Sequence, residues 1–176
     1  MCILFVFRLL LIHTEACLAQ GSFFEEAHRQ LARNIDAGKF QYNLALYAGW
    51  NQASPFQQLS CHQQGLLWHK IGVTYYHLDE EQKAIEAFTK TLDRWKHCPG
   101  TSNGDKANSI YNIGISHQYL NNAYMAGIYL DSAMIMFESD AGYPRDQLAM
   151  KYFGVANFYN DGFDIYKAEK NYQVAL

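Results

Sequence analysis

The residues best placed for chemistry are two mirrored pairs, Cys61-His62 and His97-Cys98. Both cysteines stand equally far from a point between Asp79 and Glu80, inside the polar stretch Asp79-Glu80-Glu81. If that stretch is the turn of an antiparallel helical pair, residues equidistant from it lie side by side. Three chemistries suit such a meeting. In an oxidising compartment the two thiols form a disulfide, closing a long loop and adding roughly 2–4 kcal/mol. They also read as two unpaired thiols near the surface. Finally, the pairs together offer a Cys2His2 zinc set, although adjacent residues on a helix point in diverging directions.

No other constellation points to catalysis. There is no phosphate-cradling glycine loop, no GxSxG elbow and no HExxH helix. Glu80-Glu81 falls at a turn and reads as a solvated helix start. His69, His77 and His117 fall on helical stretches and read as lining or core residues rather than a general base. The expectation is therefore a protein that is not an enzyme, with no catalytic residue, no metal and no cofactor. The formal net charge of −3 comes with no basic cluster, so nucleic acid is not an expected partner.

The elements that position these residues are amphipathic helices. Trp68, Ile71, Gly72 and Tyr75 precede the polar break; Ala84, Ile85, Phe88 and Leu92 follow it. Both sets keep the three- and four-residue steps of one helical face. A glycine inside a helix costs about 1 kcal/mol relative to Ala, so Gly72 implies a close crossing, with Ala84 the small residue expected opposite. The pattern recurs: Ile110-x-x-Ile113-Gly114 is followed by Ala126, Leu130 and Ala133. Met150-x-x-Phe153-Gly154 is then followed by Ala168, Tyr172 and Ala175, given a two-residue insertion near Asn160-Asp161-Gly162. Gly114 follows Gly72 by 42 residues and Gly154 follows Gly114 by 40. With 176 residues, 49% of them apolar, one domain with an ample core is expected.

These recurring positions resemble the tetratricopeptide repeat, a helix-turn-helix unit with large, Leu-Gly, Tyr, Ala, Phe and Ala signature positions; His117 and Asn157 stand where the family usually has Tyr. The resemblance implies an all-α, right-handed solenoid of antiparallel hairpins. Its expected divisions are a signal peptide at 1–19, an atypical N-terminal hairpin at 20–54, and repeat units at 55–99, 100–143 and 144–176, the last truncated. It also implies a protein-interaction scaffold whose first helices line a groove for a peptide or partner segment. On the glycine alignment the groove positions are His69, Val73, Tyr76 and His77; then Tyr111, Ile115, Gln118 and Tyr119; then Lys151, Val155, Phe158 and Tyr159. Val73 and Ile115 stand where the family's carboxylate clamp needs Asn, which disfavours an acidic C-terminal tail as ligand. The same aromatics could instead be buried against further repeats. Exported bacterial proteins with such leading repeats continue into more repeats and then a kinase, DNA-binding or caspase-like module, so a sensor or regulatory region of a longer protein is the alternative reading.

Local signals complete the expectation. Residues 1–19, an apolar run ending Ala16-Cys17-Leu18-Ala19, resemble an export signal cleaved before Gln20 and are too short for a stable membrane span. Ser22 with Glu25 reads as a capping box, and Gly38 separates the two stripes that follow. Ser54-Pro55-Phe56-Gln57 reads as the start of a long first helix for the central pair.

Overall fold

The computed structural model describes residues 21–51, 54–162 and 164–176; the expected signal at 1–19 lies outside them. Among the described residues the chain is all-helical, with no strand. The helices are α1 over 21–36, α2 Phe40–Asn51, α3 Ser54–Gln58, α4 Cys61–Tyr76, α5 Glu81–Trp95, α6 Asn103–Tyr119, α7 Ala123–Glu138, α8 Arg145–Asp161 and α9 Ile165–Ala175. α4 pairs with α5, α6 with α7 and α8 with α9, while α5 meets α6 and α7 meets α8.

The turns within these pairs are copies of one another. The N–H groups of Glu80, Asn122 and Asp164 donate to the carbonyls of Tyr75, His117 and Tyr159 at 3.0, 2.9 and 2.9 Å. Each bond satisfies a carbonyl that the end of a helix leaves orphaned. Asp79 and Asn121, one residue earlier in the first two turns, both sit at φ 56°, a left-handed conformation that Asp and Asn tolerate better than most residues. The turns therefore recur every 42 residues, which corrects the expected register of the third unit. No insertion is needed there: Ala84, Ala126 and Ala168 already keep the period. The third counterpart of Gly72 and Gly114 is Ala156, fully buried, rather than Gly154. Met150 and Phe153, expected on the apolar face, are instead 73% and 55% exposed.

The glycines do mark close approaches, but to large side chains. A Cβ on Gly72 would lie 2.5 Å from the ring of Phe88, and one on Gly114 would lie 2.9 Å from Leu130. Ala84, expected opposite Gly72, is fully buried in one cluster with Phe88 and Ile113. Gly154 receives the hydroxyl of Tyr111 from the preceding pair, and Gly65, which the pattern did not single out, receives the indole of Trp95.

Local corrections follow from capping. Residues 21 and 22 are both helical, so Ser22 lies within α1. The long helix expected from Pro55 is two helices: α3 stops at Gln58, and Ser60 opens α4 with a capping box completed by Gln63. The Gln64 amide donates to the carbonyls of Phe56 and Leu59 at 3.4 and 3.0 Å, closing the end of α3. Ser102 caps α6, so Asn103 and Gly104 are its first helical residues.

The N-terminal hairpin is fixed to the central pair by a buried polar chain. Asn34 Nδ2 donates to Asn43 Oδ1 at 2.8 Å, and Asn43 Nδ2 donates to Leu31 O and Thr74 Oγ1 at 3.1 and 3.2 Å. Asn43 is fully buried, so Asn43→Leu strands several polar groups at once. Urea unfolding is expected to show a loss of about 1–3 kcal/mol; an unchanged midpoint would mean the chain is not what holds α2 on α4.

Cys61 and Cys98 are joined in a disulfide, with Cα atoms 5.8 Å apart. Their sulfurs are thus occupied, which removes the zinc alternative. Among the described residues no group of three or more His, Cys, Asp or Glu could hold a metal ion.

Candidate partner-binding site

The first helix of each pair ends in polar and aromatic side chains, and the repeated turn fixes where those ends lie. Tyr76 and Tyr119, near the ends of α4 and α6, meet edge to face with ring centroids 5.6 Å apart. Burial, reinforced by a hydrogen bond with Tyr119, pushes the Tyr76 hydroxyl well above the usual phenol range. His77, exposed, stacks on Phe40 of α2 at 4.9 Å and touches Tyr76 at 5.4 Å. Phe40, His77, Tyr76 and Tyr119 thus form one row across α2, α4 and α6. Beyond Tyr119 opens a cleft of about 500 Å³ lined by Gln118, Tyr119, Asn121, Ala123, Phe158, Asp161 and Gly162. Tyr119 is 60% exposed at the cleft, while Phe158 gives it only an 8% exposed apolar surface. A tyrosine combines apolar area with a hydrogen-bonding tip, and the cleft adds amides and one carboxylate around an apolar wall.

Deeper along the same helices the side chains stitch rather than bind. His69 Nδ1 lies 2.8 Å from Ser109 Oγ. Burial, helped by Lys70, lowers the His69 pKa to about 3, so the ring is neutral at any physiological pH. Ser109 is fully buried, so this Ser-His pair ties α4 to α6 and offers no exposed nucleophile. Val73 and Ile115 are half-buried at the edges of two core clusters.

The twelve expected groove residues therefore divide. Tyr76, His77, Gln118 and Tyr119 come together at the helix ends. Tyr111, Val155 and Tyr159 are core residues, and Lys151 folds over the Tyr111 ring. The Tyr159 hydroxyl donates to Asp131 Oδ1 at 2.6 Å. Aligning the turns instead of the glycines would have shifted the third set to Phe153, Asn157, Asn160 and Asp161. Phe40, Asn121, Asp161 and Gly162 belong to the row or its cleft and were missed, although the 42-residue period would have placed Asp161 beside His77 and Tyr119.

No protein-family model matches the sequence, and no curated protein matches it. In fold the chain is similar to the crystal structure of BtubC (BKLC) from P. vanneervenii, a helical protein, with a TM-score of 0.65 at 14% identity. The match covers 91% of this chain and 63% of that one, so the chain spans less than two thirds of its neighbour's length. Among the described residues no helix is long and apolar enough to cross a membrane.

Proposed function

We propose that the chain is a right-handed solenoid of tetratricopeptide-like hairpins, acting outside the cytoplasm as a non-catalytic scaffold that captures a peptide or partner segment. The observation that carries this reading is the aromatic row Phe40-His77-Tyr76-Tyr119 ending at the Phe158 cleft. The 42-residue recurrence of turn and apolar positions supports the repeat assignment, and the Cys61–Cys98 disulfide suits an oxidising compartment. A fitting ligand is an extended, weakly charged segment. It places one apolar side chain against Phe158 and its backbone amides near Gln118, Asn121 and Asp161.

A random peptide library selected on the wild-type protein supplies the probe. Tyr119→Ala and Tyr76→Ala are each expected to weaken the selected peptide by about thirtyfold, the loss of a central aromatic contact of about 2 kcal/mol, with helicity unchanged. Equal affinity in both variants would exclude the row as the binding surface. Phe158→Ala is a poorer test, since Phe158 also belongs to the core.

A further inference from the structure

In the 42-residue register Phe153 stands where α4 has His69 and α6 has Tyr111, and both of those side chains reach into the pair that follows. His69 Nδ1 meets Ser109 of α6, and the Tyr111 hydroxyl lands at Gly154 of α8. Tyr172 likewise follows Phe88 and Leu130, and Leu176 follows Leu92 and Met134. Phe88 clusters with Ile113 of the next pair, and Leu130 and Met134 cluster with Val155. α8 and α9 thus repeat the face through which each earlier pair meets its successor. Among the described residues no further helix receives that face. Phe153 and Tyr172 meet with ring centroids 5.7 Å apart. With Ala149, Met150, Ala175 and Leu176 they line an open cleft of about 560 Å³. None of these side chains is charged, and contiguous apolar surface of this kind marks an interaction site.

The opposite end of the stack is polar. The first hairpin shares the repeated turn: Gly38 sits at φ 68°, and the Lys39 N–H donates to the Asn34 carbonyl at 2.7 Å. That bond falls 41 positions before its counterpart at Glu80. In this register Glu26 and Gln30 of α1 match Ser109 and Ile113, through which α6 receives the central pair, and Arg29 matches Gly154. Glu26 and Arg29 are exposed and paired at 3.2 Å. Stacking the α8–α9 face head to tail on α1 would strip water from that ion pair, at a cost its mutual attraction does not recover. Against its own copy the same face meets no charged side chain at its centre.

We propose that the chain pairs with a second copy of itself through a two-fold contact, the α8–α9 face of one on the α8–α9 face of the other. Met150 and Phe153 of each copy enter the cleft of the other and extend the apolar seam that already joins the pairs. A two-fold contact uses the face on both sides, so assembly stops at two. The dimer carries two aromatic rows, and a partner with two suitable segments is held more tightly by engaging both.

Sedimentation equilibrium of the full chain across the micromolar range should give a mass that rises from one chain to two and no further. Met150 and Phe153 are both exposed, so Met150→Glu and Phe153→Glu should leave helicity unchanged. Each should weaken pairing by about tenfold or more, the effect of removing a central contact. Tyr124→Glu, a change at an exposed residue of α7, should leave pairing as it is. A wild-type chain that stays monomeric would give the face to a different partner and overturn the proposal. So would a dimer indifferent to both face variants, or a mass that keeps climbing with concentration, which is the mark of head-to-tail stacking.

Discussion

Phe88→Ala is expected to lower the unfolding free energy by about 3–5 kcal/mol, the cost of emptying a well-packed aromatic site. Phe88 is fully buried and fills the space that Gly72 leaves by having no side chain. It belongs with Ala84 and Ile113, so the void would open where α4, α5 and α6 meet, and neither pair could close it alone. The reciprocal change confirms the geometry from the other side. A Cβ on Gly72 lands 2.5–2.8 Å from ring carbons of Phe88, and Phe88 has no free surface to turn into. Gly72→Val should therefore cost about 1–3 kcal/mol or more by overpacking. Urea unfolding followed by circular dichroism measures both. A Phe88→Ala midpoint close to wild type would show that the seam does not depend on this contact.

Reducing the Cys61–Cys98 disulfide should cost about 2–4 kcal/mol, because it frees a long loop in the unfolded chain. The two cysteines are 37 positions apart in sequence and join the start of α4 to the residues just after α5. The native contacts beside the bond do not need it. Trp95 Nε1 donates to the His62 carbonyl at 3.2 Å, and its indole lies on Gly65. The fold should therefore survive reduction at a lower melting temperature, by about 5–15 °C at the 2–4 °C per kcal/mol typical of a chain this size. Melts of wild type and Cys98→Ser with and without dithiothreitol separate the cases. The wild type should fall to the variant's value, and the variant should not respond. Equal melting temperatures in all four samples would contradict a stabilising bond.

Most of the helical pairing was legible because it follows from apolar periodicity and from one symmetric turn. Cys61 and Cys98 could be set opposite each other from their distances to Asp79-Glu80 alone. What glycine alignment could not supply was the register of the third unit. Gly154 is small because Tyr111 of the preceding pair ends there, while Ala156, fully buried, holds the register position of Gly72 and Gly114. Two different reasons for a small residue look identical in a sequence. The same slip moved Val155 and Tyr159 from core to groove. The capping box at Ser60 was hidden for another reason: Ser54-Pro55-Phe56-Gln57 is an equally good start signal, and only Leu59 and Phe56, both buried, show that the chain must bend between the two.

Site-specific photo-crosslinking tests the central claim most directly. p-Benzoylphenylalanine replaces Tyr119, beside the cleft, or Tyr124, which is 77% exposed at the start of α7. Irradiation with a peptide selected on the wild-type protein should give adducts through position 119 and none above background through 124. Crosslinking through 124 with none through 119 would place the ligand on the second helices and contradict the scaffold groove.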